Sequence, residues 1–474
     1  MKKIFYFITA LAVMGSCTQE EIVNGNFRGD ESGVNFLHSD LGGSRLSIAD
    51  EKVDGKFPLQ WTAGDAFTAF EGNTAYAYSL TNGEGTANGT FKGEGAPTCA
   101  VFPATAKAAK VDKKIDIELT QIFNKGDNSL NTPMYGGITN GNVKFSKKLT
   151  ALLKVKYTDL PSGYNILRVE SDVQPLSGKF TFSTDKFLLS PVANATKKSV
   201  LVKHDNNTDA FYVPIPAGTY DGLTFYVENE TTQHRIMLIT LLYKKFEVGQ
   251  MYTLNRKYNT IISKFDSSNF MADMTSHADV HSKAKGKWFG MKKDTNGSNS
   301  IDNEAGALKL DNTKGDLYYN MEVGCAGGYC LEKALPNGIY KVTLESKSKN
   351  LTNAEAKNPY EQTRLKFGAV ANEDPSGVKD KGGLYLIGLS SKEAVDPTKP
   401  KYAIQTLQHK NDGAWCLNSF YINNGYWVEK GKDFAKFQVV NTAGLFDIRF
   451  FPAFKNTIWL KEIQISEVVD FSNK

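Results

Sequence analysis

The segment Ile115-Asp116-Ile117-Glu118-Leu119 places its three aliphatic side chains on one side of an extended backbone and its two acids on the other. A helical period would scatter them, so this spacing dictates a half-buried strand. The same alternation recurs in Ala66–Phe70, in Tyr76, Tyr78 and Leu80, and in Tyr340, Val342 and Leu344. Further short runs rich in β-branched and aromatic residues are Thr150–Tyr157, Lys179–Phe182, Phe211–Ile215 and Leu223–Val227. Turn signals such as Asn82-Gly83 and Pro161-Ser162-Gly163 separate them. Arg235–Leu242 is the most apolar segment of the body and reads as a buried central strand. The expected fold class is all-β. A content of 29 Phe, 21 Tyr and 41 Gly suits strands and turns better than helices. The 474 residues suffice for two to four domains of about 100–200 residues each.

Charge excludes some functions. The 56 basic and 51 acidic residues leave a net +5 with no concentrated basic face, so nucleic acid is not an expected partner. Catalytic signatures are missing as well. No Gly-x-Ser-x-Gly elbow occurs. His277 and His281 are four apart, but Ala278 stands where a metalloprotease needs glutamate, and the pair reads as surface linker. Asp294, Asn296, Ser298 and Asp302 have the spacing of oxygen ligands. An EF-hand would need Gly at Asn299 and Glu at Ala305, so only a calcium site of another kind stays open. No cofactor, no catalytic residue and no enzymatic activity are expected.

The N-terminus carries an address. Lys2 and Lys3 precede an apolar run over 4–13, followed by Met14-Gly15-Ser16-Cys17. The run is too short to span a bilayer and reads as a secretory leader. Its ending resembles a lipobox, at which bacterial lipoproteins are acylated and cut; the alternative is an ordinary leader with an incidental cysteine. The resemblance implies a mature chain that starts at a lipidated Cys17 and is held in the outer membrane by its acyl chains. Thr18-Gln19-Glu20-Glu21 resembles the surface-export signal of lipoproteins in Bacteroidetes-type bacteria, which implies display on the cell surface.

Six motifs then follow in order. They are Trp61-Thr62-Ala63-Gly64-Asp65, Ala100-Val101-Phe102-Pro103-Ala104, Thr132-Pro133-Met134-Tyr135-Gly136, Leu149–Val155, Val213-Pro214-Ile215-Pro216-Ala217-Gly218 and Gly249–Leu254. Together they resemble the fimbrillin-like proteins, subunits and relatives of lipoprotein-derived pili. The resemblance implies two β-sandwich domains, 34–160 and 161–258, after a leader over 1–17 and a tether over 18–33. By itself Trp61 reads as a core anchor. In pilus-forming relatives an arginine-specific protease trims the N-terminal strand and a strand from another subunit replaces it. Arg45, in a flexible Gly-Gly-Ser-Arg context, and Arg28 are the candidate processing sites.

Beyond 258 the motifs stop. Residues 259–284 are polar and read as a linker. From 285 to 474 a new pattern begins, in which Leu335–Glu345 and Ile458–Ser466 resemble strands of jelly-roll carbohydrate-binding modules. Sugar rings pack their C–H faces on flat aromatic rings, so Trp415, Tyr421, Tyr426, Trp427 and Trp288 are candidate glycan contacts, against the alternative that they fill the core. Cys325 and Cys330 flank Ala-Gly-Gly-Tyr and are either a disulfide staple or two small buried hydrophobes. The expected function is a surface lipoprotein adhesin that binds a glycan, a host surface or a partner protein through its C-terminal domain. Two alternatives stand beside it: an accessory, tip or anchor subunit among other pilus subunits, and a glycan-capturing lipoprotein of a nutrient uptake system.

Overall fold

The computed structural model describes residues 34–40, 60–104, 108–123, 132–205, 210–275, 277–292, 297–311, 325–333, 335–336, 338–349, 363–369, 386–389, 415–424, 437–440, 446–451 and 457–471. Cys17, Arg28, Arg45, Tyr426 and Trp427 lie outside these residues. The described residues are all-β, as the alternation requires, apart from one seven-residue helix and one 3-10 turn.

Seven strands come first: β1 (Val34–Asp40), β2 (Ala66–Glu71), β3 (Thr74–Asn82), β4 (Asn88–Glu94), β5 (Cys99–Phe102), β6 (Met134–Thr139) and β7 (Asn142–Lys148). They close into a barrel of order β1-β7-β6-β5-β2-β3-β4. A two-sheet sandwich was expected here. The closure is made by β1, antiparallel to β4 along its whole length and parallel to β7 at His38–Asp40. Trp61 is wholly buried inside, edge-on to Phe91, Phe102 and Phe145 at 4.8, 5.6 and 6.0 Å. The Asn82-Gly83 turn also forms as read. Gly83 has φ +95°, and a Cβ there would stand 2.1 Å from the Asn88 carbonyl oxygen.

Strand β8 (Thr150–Thr158) belongs to the middle unit, between β11 (Phe211–Pro216) and β14 (Met251–Lys257). Facing it, β9 (Tyr164–Ser171), β10 (Ser199–Lys203), β12 (Leu223–Asn229) and β13 (Arg235–Leu242) are four neighbouring strands of a twelve-stranded sheet. Their shared core holds Leu153, Val155, Val169, Phe225 and Ile236. β13 is the buried central strand its composition requires.

The segment read as a linker, 259–284, contains β15 (Ile261–Lys264), a further strand over Phe270–Met274, and α1 (His277–Lys283). His281 is buried on α1 rather than at the surface. Then follow β16 (Trp288–Lys292), β17 (Ser298–Asp302), β18 (Ala307–Asp311), β19 (Cys325–Cys330), β20 (Gly338–Lys349), β21 (Cys416–Asn424), β22 (Phe446–Phe451) and β23 (Thr457–Asp470). The 14-residue β23 organises them. One edge pairs with β20; the other is shared in succession by β18, β15 and β13. Its parallel pairing with β13 at Thr240–Leu242 makes the middle and C-terminal sheets continuous.

β23 sends Ile458, Leu460, Ile463 and Ile465 into a second core, against Trp288 on β16, Tyr329 on β19 and Ile448 and Phe450 on β22. This is a sandwich in which the six-stranded sheet containing β16, β19 and β22 covers one face of the long sheet. The opposite face of β23 carries the side chains considered next.

Candidate functional site

Alternation along β23 fixes which side chains leave the core. Ile458 and Leu460 point inward, so Trp459 points outward, and Lys309 does the same between Leu308 and Leu310. On β20 the outward residues next to the core residue Leu344 are Glu345 and Lys347. Pairing then sets the order across the sheet. Lys309 is directly opposite Trp459, and Trp459 is directly opposite Lys347. Trp415 immediately precedes Cys416, the partner of Ser346, and so extends the row beyond Lys347.

The result is an alternating row across four strands: Lys309, Trp459, Lys347, Trp415. The Lys347 ammonium lies 4.8 Å from the Trp459 ring centroid and 5.0 Å from that of Trp415. Lys309 lies 5.8 Å from the Trp459 ring, and Lys461 lies 5.3 Å from the Trp415 ring. These distances are within cation–π range. Both indoles are half-buried. Two strand spacings separate them, about 10 Å.

Acidic groups hold the row in place. The Trp459 indole N–H donates to Asp302 Oδ2 at 2.7 Å, and the Ala305 N–H donates to Asp302 Oδ1 at 2.9 Å. First the backbone bond and then the indole bond keep the Asp302 carboxyl below its usual range. Lys461 is 3.4 Å from Glu345 and Lys309 is 3.6 Å from Asp311. The Trp459 indole is held edge-on by a carboxylate, lysines lie over the faces of both rings, and the half-exposed indoles present fixed apolar edges among hydrogen-bond donors and acceptors. That is the equipment for holding a polar ring and orienting its hydroxyls.

The expected aromatic contacts divide sharply. Trp415 belongs to the row. Trp288 is fully buried, packs on Phe265 and Tyr329, and donates its indole N–H to the Lys264 carbonyl at 3.1 Å. Tyr421 is buried against the middle unit, where burial and the neighbouring Asp172 carboxylate raise its phenol pKa. Both are structural and available to no ligand. Trp459 was not singled out beforehand, although its place between Ile458 and Leu460 in an alternating strand already marked it as outward-facing.

The disulfide staple is not formed. Cys325 and Cys330 lie at the two ends of one extended strand, β19, about 16 Å apart at 3.3 Å per residue, beyond the reach of a disulfide. Cys330 is a buried thiol, the small-hydrophobe reading. Of the oxygen-ligand run, Asp294 and Asn296 lie outside the described residues, and the Asp302 oxygens accept from protein donors. Among the described residues no three His, Cys, Asp or Glu side chains converge as a metal site. Nor is any helix among them long and apolar enough to cross a membrane.

No family model and no curated protein matches the chain. Three solved structures overlap its strands. A Bacteroides ovatus protein described as a candidate cell adhesion protein shares 9% identity, covers 47% of this chain and 91% of its own, and has a TM-score of 0.31. A Bacteroides thetaiotaomicron protein described as a candidate sugar binding protein shares 13% identity over 43% of this chain and 95% of its own, with a TM-score of 0.25. The xylan-binding module CBM15 shares 17% identity over 44% of this chain and 96% of its own, with a TM-score of 0.21. Likenesses of this size do not assign a ligand.

Proposed function

We propose that the chain is a non-catalytic, surface-displayed lipoprotein of the outer membrane that adheres to saccharides through the outer face of its C-terminal sandwich. One observation carries the reading: Trp415 and Trp459 stand half-exposed in one cross-strand row and are fixed by Lys347 and Asp302 rather than by the core. A core needs neither indole there, and two immobilised rings flanked by polar groups suit a sugar chain laid across the strands. The leader and Cys17 support a lipid tether. An oligosaccharide array probed with the wild-type chain and with the Trp415→Ala and Trp459→Ala variants tests the proposal. Binding should fall at least about tenfold in each variant, which is about 1.4 kcal/mol. Wild-type binding that survives both substitutions refutes the assignment of the site.

The pilus-subunit reading has its own support. β1 lies between Arg28 and Arg45 in sequence and is the strand that closes the barrel onto β4 and β7. Cleavage at Arg45 would detach it and leave both edges open to a donated strand. N-terminal sequencing of the protein shed from cells tests this: a start just after Arg45 supports it, and a chain that keeps residues 34–40 opposes it.

A further inference from the structure

We infer that the saccharide taken by this face is anionic, carrying carboxylate or sulfate groups, and that Lys347 selects it; the inference rests on the saccharide reading above and narrows it. Three lysines border the two indoles. Lys309 and Lys461 each have a carboxylate partner, Asp311 and Glu345. Lys347 is in no such contact: the Asp302 carboxylate feels its charge, but among the described residues no carboxylate lies within ion-pairing distance of its ammonium, which is held between two ring faces. A ring face attracts a cation without hydrogen-bonding all of its N–H groups, so the ammonium keeps donors to offer. A lysine ammonium is a compact charge with no planar fork, and it accepts carboxylate and sulfate oxygens over a range of angles.

The placement makes the selection local. Lys347 lies on the strand between the two indoles, so a sugar chain laid along the row across the exposed edges of Trp415 and Trp459 brings the substituents between them over its ammonium. Among the described residues that border the two indoles, the lysines Lys309, Lys347 and Lys461 stand beside the acids Asp302, Glu345 and Asp311. The preference therefore resides in Lys347, whose ammonium has no carboxylate within ion-pairing distance.

The experiment compares acidic probes, oligogalacturonate and chondroitin sulfate oligomers, with neutral xylo- and cello-oligosaccharides, by calorimetry on the full chain. The wild type should bind an acidic probe more tightly than every neutral one, and more weakly as salt rises. Lys347→Met should lose at least about tenfold on the acidic probe while keeping its unfolding midpoint, and Lys347→Arg should retain binding. Trp415→Ala should lose binding to all probes. If neutral probes bind as tightly, or Lys347→Met binds the acidic probe as the wild type does, the anionic assignment fails. The saccharide site then still stands, provided that Trp415→Ala is deficient. If Trp415→Ala and Trp459→Ala both bind normally, or the wild type binds no probe, the site and the inference fail together.

Discussion

The phenol of Tyr421 donates a hydrogen bond of 3.0 Å to Asp172 Oδ2, joining β21 of the C-terminal sandwich to the end of β9 in the middle unit. Lys341 completes the contact. Its ammonium lies 2.9 Å from Thr224 Oγ1, 3.6 Å from Asp172 Oδ1 and 5.2 Å from the Tyr421 ring centroid. Lys341 is on β20 and Thr224 on β12, with β23 and β13 between them. In a flat sheet three strand spacings would hold them about 14 Å apart. The Lys341 side chain spans much of that gap, and the polar cluster ties β20 and β21 to the middle unit.

Tyr421→Phe should lower stability by about 1 kcal/mol, a modest value because Asp172 is partly exposed. Saccharide binding should not change. A double-mutant cycle with Asp172→Asn is the measurement, and additive losses would show that the pair is not coupled.

Tryptophan substitutions should separate core from site. Trp61→Ala and Trp288→Ala empty fully buried volumes and should each cost about 3–5 kcal/mol in urea unfolding. Trp61→Phe should cost less, because the buried indole N–H of Trp61 has no hydrogen-bond partner to lose. Trp415→Ala should cost under about 1 kcal/mol.

Asp302 sets an acid limit on the Trp459 clamp. Its folded-state pKa is depressed, so its contribution is present above the unfolded value of about 3.9 and is lost as pH falls through the lower folded value. Tryptophan fluorescence and saccharide affinity should be flat from neutral pH down to the usual carboxylate range and change only below it. Asp302→Asn should abolish that acid transition.

The barrel has an alkaline limit. Burial, reinforced by neighbouring Tyr76 and Cys99 respectively, raises Tyr78 and Tyr135 to about 12. For phenols raised in the folded state, stability is full below the unfolded value of about 10 and declines as pH climbs from there to about 12. The urea midpoint should fall across that window, and tyrosinate absorbance should lose part of its late-titrating signal in Tyr78→Phe and in Tyr135→Phe.

Much of this was legible in the residues. Ile115–Leu119 is a strand because period-two alternation has one extended solution, and Trp61 is internal because so large an apolar side chain among short strands has few other places. The run Arg235–Leu242 could only be a strand covered on both sides. The strand at Ile261–Lys264 was not legible because its partner β23 lies two hundred residues later, and polar composition does not reveal a distant partner.

The chain by itself determined which side chains share a face: Trp459 opposite Ile458 and Leu460, Lys309 opposite Leu308 and Leu310. Only the tertiary structure decided which face another sheet covers. Periodicity is a local property of the backbone, whereas burial depends on strand pairs far apart in sequence. That is why Trp288 and Tyr421, with the same composition to recommend them, are sealed inside, while Trp415 and Trp459 meet across Lys347 at the surface.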